Sequence, residues 1–500
     1  VIMHGPDILN RFLDAELNIH PEALSALLGR EDPYEFAERI IASAKSLEDC
    51  PSVITPDFLG SMELWDGQED KPVQVRRPKR RTPADEYSED LKIRKDRDIT
   101  KKSYSVGDIE GFFRYFNDRY HRLARILRER DQLRDVMDIE TVKGRSREEV
   151  KVIGMVCDIR TTKKGHVLIE LEDPTGLLPA LIPNSDRTLM QLSPEIIRDE
   201  VVGIIGRMSQ SGELLIIKEL LFPDLPVARK QKRSPDPVAL ALISDMHTGS
   251  KMFVEDAFEK FVKWMRGEIG TQKHQEMASK VKYLVIGGDL VDGVGIYPEQ
   301  ENELNIKDIF DQYEKLWGYL SRIPDHVEII IAPGNHDATR QAEPQPAILE
   351  EFAPGFYDDP RVHMVGNPCF ATIHGVDLVS YHGRGLDDII STIPDQSYSD
   401  PDKAMLYSLK KRHLAPIYGG KVPMSPEERD YMLLDEAPDI LHSGHTHTVG
   451  ISNYRGTTVV NSGTFQKQTS FQRKNNVTPD IARIPVIDLQ EHRITLMRFM

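Results

Sequence analysis

The chain has little cysteine, no long apolar run and no excess of positive charge. Its three cysteines, Cys50, Cys157 and Cys369, lie far apart in 500 residues. That spacing excludes a thiolate metal cluster and a convincing disulfide framework. It points to a reducing compartment, so the cytoplasm is the expected location. No run of about 18 apolar residues occurs, so neither a membrane span nor a membrane partner is expected. The opening "VIMHGPDILNRF" lacks the basic-then-apolar pattern of a secretory leader. Lys and Arg number 64 against 80 Asp and Glu, a net charge of −16. That balance argues against a free-standing, non-specific nucleic-acid binder, although a local basic surface or a partner can still supply contacts.

What is present is a globular composition interrupted by one charged, weakly hydrophobic segment. The length of 500 residues exceeds one ordinary core, so about two to four domains are expected. Residues 1–55 read as a small helical domain. Asp32 and Pro33 form an N-cap and first-turn pair, and "YEFAERIIASA" carries apolar residues at helical spacing. Residues 56–104, including "RRPKRRTPADEYSEDLKIRKDRDITKK", lack apolar periodicity and read as a charged flexible linker. The basic patch at Arg76–Arg81 is read as solvated rather than as a phosphate contact. A helical segment, 105–147, follows. Ser105 and Asp108 have capping-box-like spacing, and Phe113, Phe116, Tyr120, Leu123 and Leu127 form a packing stripe. Residues 148–227 hold five short β-rich runs parted by "TTKKG", "DPTG" and a Ser-Gly turn, which suggests a barrel of the OB type. Its strands are nearly devoid of aromatics. A protein-docking role is therefore favoured over a base-stacking platform. "ARKQKRSPDP" (228–237) is a second expected linker.

From Val238 to residue 500 the pattern changes again. Apolar runs end, one after another, in ligand-type residues. "VALALIS" meets Asp245 and His247. "KYLVIG" meets Gly288-Asp289. "VEIIIAP" meets Gly334-Asn335-His336-Asp337. "VDLVSY" meets His382, and "PDIL" meets "HSGHTH" with His445 and His447. Helical runs separate the first three, so a largely parallel core is expected, with ligands at the carboxyl ends of its strands. Each motif alone is commonplace. An Asp-x-His is usually surface polarity, and Gly-Asp is often only a turn. The ordered set, each at a strand end, makes a metal site the expectation. His445 and His447, at i and i+2, face one side of an extended segment. His442, inside the strand run, is read as a packed histidine. Carboxylate, imidazole and amide oxygen without thiolate suit Mn, Fe or Zn. Seven ligands exceed one such ion, whereas two ions about 3.5–4 Å apart, sharing a bridging carboxylate, accommodate them.

These motifs resemble the calcineurin-like metallophosphoesterase superfamily over residues 238–500. The resemblance implies a four-layer α/β fold. It places Asp245, His247, Asp289 and His447 on a first metal, with Asp289 bridging. It places Asn335, His382 and His445 on the second. It makes His336 the acid that protonates the leaving oxygen and leaves Asp292 a structural position. Asp337 fits an orienter for His336. Arg384 and Asp387, just after His382, are candidates for phosphate contact and for support of the ligands. The order of helical domain, charged linker, barrel and phosphoesterase resembles the small subunit of archaeal D-family DNA polymerase. So do the phrases "ISDMHTGS", "GGDLVDGVGIYPEQ", "PGNHDATRQAEPQP", "SYHGRGLDD" and "HSGHTH". That resemblance implies a 3′→5′ proofreading exonuclease acting on DNA 3′ ends, with the large catalytic subunit as partner. It implies two divalent ions, manganese first and iron or zinc as alternatives, with magnesium serving the polymerase complex. Two rival readings are a phosphomonoesterase or cyclic-nucleotide phosphodiesterase of the same fold, and a non-catalytic scaffold subunit. The acidic loop "YPEQENEL" (297–304) is read either as solvated or as a device that keeps duplex phosphates away.

Overall fold

The computed structural model describes residues 5–15, 17–28, 33–45, 53–55, 82–103, 105–474 and 477–500. The chain divides into two compact units, Val1–Arg76 and Arg77–Met500. In the first unit the helices Gly5–Asp14, Pro21–Leu28 and Pro33–Lys45 surround a two-stranded parallel pairing of Asn18–Ile19 with Val53–Ile54. The third helix starts on proline and carries Glu35 in its first turn and Lys45 in its last, which complements its dipole. Phe36, Ala37, Ile40 and Ala44 lie on its buried face against Ile8, Phe12 and Leu27. The cap expected at Asp32 lies outside the described residues.

In the second unit, five strands close a barrel in the order Glu149–Thr161, Val167–Asp173, Gly176–Ile182, Leu215–Leu221, Val201–Met208. All pairings are antiparallel except Gly176–Ile182 with Leu215–Leu221. Alternate residues such as Val150, Val152, Ile169, Leu171, Leu178 and Ile204 fill the interior, so the barrel is a packed core rather than a channel.

The remainder forms layers. One six-stranded sheet includes Ala239–Ile243, Val281–Gly287 and Glu328–Ala332, all parallel, and ends in the antiparallel pair Arg483–Asp488 and Ile494–Arg498. The other six-stranded sheet holds Val376–Ser380, Ile440–Ser443 and Thr457–Asn461 in parallel, with antiparallel strands at both edges. The expected parallel core is therefore two mixed sheets. They pack face to face through Leu240, Leu242, Val285 and Ile330 on one side and Ala371, Leu378, Ile440 and Val460 on the other. The helices Glu255–Met265 and Ile309–Leu320 cover the first sheet, and Leu386–Thr392 and Pro401–Lys411 cover the second.

Several sequence expectations need correction. The flexible linker expected over 56–104 is not one from residue 82 to 103. Leu91–Ile93 pairs antiparallel with Cys369–Ile373 and completes the second sheet. Arg97 lies over the Phe370 ring at 4.2 Å, and Thr100 Oγ1 accepts the Ala347 N–H at 2.9 Å. A three-residue edge strand carries no visible periodicity, so charge hides it. Residues 56–81, with the basic patch Arg76–Arg81, lie outside the described residues. In the helical segment, the helix Ile109–Arg128 is capped by Asp108, whose carboxylate accepts the Gly111 N–H, and not by Ser105. Its stripe holds at Tyr120, Leu123 and Leu127, but Phe113 is 69% exposed. The 228–237 stretch also lies against the fold: Arg229 Nη1 donates to the Pro438 carbonyl at 2.8 Å and Lys232 N to Asp439 at 3.0 Å.

The long helix joins barrel and sheets through buried charge. The Arg119 guanidinium, with no exposure, meets Asp430 at 2.8 Å and donates to the Pro416 carbonyl at 2.6 Å and the Asp199 carbonyl at 3.2 Å. His413 Nε2 reaches the same Asp430 carboxylate at 2.7 Å. Lys411 Nζ pairs with Glu200 at 2.6 Å, also buried. Breaking one partner of a buried pair strands the other. Asp430→Ala is therefore expected to lower unfolding free energy by about 3–5 kcal/mol, read by denaturant titration. Burial, helped by Arg119, pushes His413 down to about 4. The unfolded chain takes up that proton first. As pH falls from about 6.5 toward 4, this group is expected to remove about 1.4 kcal/mol of stability per unit, and His413→Asn to flatten that slope.

Candidate metal centre

The parallel strands of both sheets end at one edge, and the polar turns that follow them meet there. Asp245, His247, Asp289, His445 and His447 all adopt left-handed backbone, with φ between 51° and 68°. Non-glycine residues seldom hold that conformation, and a cluster of five marks a site where tertiary structure imposes it. The turns close because glycines flank them. A Cβ on Gly288 would lie 2.6 Å from Gly334 N and 2.7 Å from His382 Nδ1. A Cβ on Gly334 would strike Asp289 Oδ1 and come within 2.7 Å of His382 Cε1.

Asp245, His247 and His447 form one group of converging ligand atoms, and Asp289, His382 and His445 form another. In the first, His447 Nε2 lies 3.4 Å and His247 Nε2 3.9 Å from Asp245 Oδ1. The two Nε2 atoms face each other at 3.1 Å. In the second, His382 Nε2 lies 3.5 Å from Asp289 Oδ2 and 3.1 Å from Asn335 Oδ1. Asp289 Oδ2 is also 3.7 Å from His247 Nε2, so this carboxylate stands between the groups. Every candidate ligand drawn from the motifs is therefore in this one place.

Supporting groups fix the rings. His247 Nδ1 is 3.1 Å from Asp292 Oδ1, and His382 Nδ1 donates to the Gly287 carbonyl at 2.8 Å. Each bond leaves Nε2 as a lone pair aimed into the centre. His445 Nε2 meets Asp387 Oδ2 at 3.1 Å, which leaves its Nδ1 for the centre. His447 Nδ1 contacts the Gln472 amide at 2.7 Å. His442 is excluded: Ser380 and Ser462 hydroxyls occupy its two nitrogens at 3.0 Å each, and burial pushes its pKa down to about 3.

The charges call for cations. Burial disfavours protonated rings here and pushes His336 and His447 down, yet carboxylates outweigh it at two others. His382, facing Asp289, is pushed up to about 10, and His247, bonded to Asp292, to about 9. Asp245 Oδ1 is buried with no hydrogen-bond donor among the described residues. An orphaned carboxylate oxygen beside imidazole lone pairs, with no thiolate, fits a divalent ion better than a proton.

His336 stands at the rim of both groups. Its N–H donates to Asp289 Oδ1 at 2.8 Å, and its ring lies edge-on to His247, centroids 4.7 Å apart. The orienter expected at Asp337 is not there. His336 Nδ1 bonds the Asp292 carbonyl at 2.7 Å instead. Asp337 turns away and accepts the Gly334 N–H at 2.8 Å, the Leu290 N–H at 3.1 Å and the Tyr313 hydroxyl at 3.1 Å. It shapes the turn rather than the ring. Arg384 is one step removed: it donates to Gln341, whose amide donates to the Asn335 carbonyl at 2.7 Å. Sequence reasoning undervalued Asp292, which bonds one ring by its carboxylate and another by its carbonyl. It missed Gln472 altogether, because that residue sits far from any strand-end motif.

Paired sheets that gather carboxylate and imidazole at one edge define a class of α/β protein with a candidate metal centre. Within it, residues 240–449 match the family of DNA polymerase alpha/epsilon B subunits. The DNA polymerase II small subunit of Archaeoglobus fulgidus is 43% identical over 475 residues, covering 94% of this chain and 93% of that one. That of Methanothermobacter thermautotrophicus is 38% identical over 482 residues, covering 96% and 98%. That of Methanocaldococcus jannaschii is 40% identical over 401 residues, covering 80% and 67%. The chain belongs to this family, the small subunits of archaeal DNA polymerase II. Among the described residues, no helix is long and apolar enough to cross a membrane.

Gly334→Ala tests how tightly the turns close. The added methyl has no room between Asp289 and His382, so a loss of about 1–3 kcal/mol is expected, read as a lowered melting temperature.

Proposed function

We propose that this subunit is a two-metal 3′→5′ exonuclease that removes nucleotides from DNA 3′ ends as a proofreading partner of a large polymerase subunit. The observation that carries the reading is the full set of ligand groups around Asp289. A non-catalytic scaffold has no need of an orphaned buried carboxylate oxygen beside converging imidazoles. The layered sheets support a calcineurin-like domain. The barrel order, first-second-third-fifth-fourth, supports an OB-type assignment. The family name supports a place in a polymerase complex, with the large catalytic subunit and DNA as partners. A small-substrate phosphatase or cyclic-nucleotide diesterase has no use for a barrel welded to the catalytic layers by buried ion pairs.

Asp245, His247, Asp289 and His447 would hold one divalent ion, and Asp289, Asn335, His382 and His445 the other. Manganese is the first choice and iron or zinc the alternative. When bound, such a pair supplies Lewis acidity that activates water and clamps phosphate oxygens. The chain's own residues do the rest. Asp292 keeps His247 in one tautomer. Asp387 does the same for His445. His336, with Nδ1 held by the Asp292 carbonyl, presents Nε2 outward to deliver a proton to the leaving 3′ oxygen.

The test is digestion of a 5′-labelled single-stranded oligonucleotide with Mn²⁺, comparing wild type and His336→Ala at equal metal content. A ladder shortening from the 3′ end is expected, slowed by about 10²–10⁴-fold in the variant. A wild type with two ions bound that leaves the oligonucleotide intact, alone and with the large subunit, would refute the reading.

A further inference from the structure

A line of buried hydrogen-bonding groups runs from the second sheet to the first and ends on Asp245. His442, in the strand Ile440–Ser443, has a serine on each ring nitrogen. Its Nδ1 lies 3.0 Å from Ser380 Oγ and its Nε2 3.0 Å from Ser462 Oγ. Ser462 Oγ lies 2.7 Å from Ser244 Oγ, and the Ser244 hydroxyl donates to Asp245 Oδ2. Weaker contacts join Ser462 Oγ to the Ser443 carbonyl at 3.2 Å and Ser244 Oγ to that of Gly463 at 3.4 Å. All five residues of the line are at most 1% exposed. Two glycines give it room. A Cβ on Gly287 would lie 2.8 Å from His442 Cε1, and one on Gly444 would strike Ser244 Oγ.

Only one arrangement of protons serves all four links. An ionised carboxylate accepts and cannot donate, so the Ser244 proton lies toward Asp245 Oδ2. Two hydroxyl oxygens 2.7 Å apart need a proton between them, and here it is the Ser462 proton. Ser462 then accepts from the ring, so His442 Nε2 carries the hydrogen. The ring is neutral, since burial pushes it down to about 3. A neutral imidazole has one donor and one acceptor, so Nδ1 accepts the Ser380 proton. The four bonds therefore all point one way, from Ser380 to Asp245. Asp245 Oδ2 also accepts the His445 N–H at 2.9 Å, while Oδ1 has no donor among the described residues. A buried network with every member satisfied holds one geometry.

Resting on the two-metal reading above, we propose that His442 is a positioning residue for Asp245. Through Ser462 and Ser244 it holds Oδ2, so that Oδ1 is left for an ion held with His247 and His447. His442 touches neither ion nor substrate. Ser380, His442 and Ser462 belong to the second sheet, whereas Ser244 and Asp245 follow the strand Ala239–Ile243 of the first. A candidate ligand of one sheet is thus oriented from the other.

The experiment uses the full chain with isotope-labelled histidine, in chelator. Long-range nitrogen–proton correlation spectra read which His442 nitrogen carries the proton, and loss of signals in His442→Gln assigns them. The wild type is expected to show the Nε2–H ring. Ser462→Ala removes the acceptor of that hydrogen, so the ring is expected to switch to Nδ1–H and donate to Ser380. A wild type with Nδ1–H, or a Ser462→Ala ring that does not switch, would overturn the proposal. Calorimetry gives the second readout. Ser462→Ala is expected to weaken Mn²⁺ binding by about 10-fold or more. Ser380→Ala deletes the same atom from an equally buried serine but leaves the three links nearest Asp245 intact, and is expected to weaken it far less. Equal losses in the two variants would mark a general loss of packing and overturn the positioning role, as would no loss in Ser462→Ala. A wild type that takes up no Mn²⁺ yet shows the Nε2–H ring and its switch sinks the two-metal reading and leaves the bonds to Asp245 standing.

Discussion

The Asp289 carboxylate is the point on which the centre turns. It follows a strand of the first sheet, yet one oxygen faces His382 from the second sheet and His247 from the first. The other oxygen takes the His336 N–H. A buried carboxylate so placed is tolerable only with positive charge around it. That need accounts for the raised His247 and His382 imidazoles, while the left-handed backbone at five candidate positions and the flanking glycines let the turns close. It also explains why the two sheets must hold their register. Sliding one against the other would separate His382 from Asp289.

The centre is rigid because its supports come from elements remote in sequence. Asp292 serves two histidines and is itself held by Gln300 and Gln466. Further out, the layers are joined to the barrel by charge rather than by apolar contact alone. Arg119 and Lys411 have no exposed surface, and each spends its donors across an element boundary. Buried pairs of this kind add less net stability than apolar residues of the same volume, but they specify one docking geometry.

The strand-end motifs were legible because chemistry and topology coincide in them. An apolar run followed at once by Gly-Asp or Gly-His-Thr-His announces both a strand and what its end carries. The barrel was legible from turn spacing. The edge strand Leu91–Ile93 was not, because three residues inside a charged stretch show no period. Asp337 misled because adjacency in sequence to His336 suggested contact, while the turn sends the two side chains opposite ways. Gln472 was invisible because nothing in a polar run far from any strand end marks a residue that will fold back onto His447.

What the sequence by itself determined was which ligand-type residues stand at the strand ends and in what order, since that depends on residue type and on position relative to apolar runs. It also determined the family. What only the tertiary structure decided was which groups pair: Asp292 with His247 and His336, Asp387 with His445, Gln472 with His447, Arg119 with Asp430. These contacts link residues tens to hundreds of positions apart. Their geometry comes from how two sheets and a barrel pack, and packing leaves no local pattern in the chain.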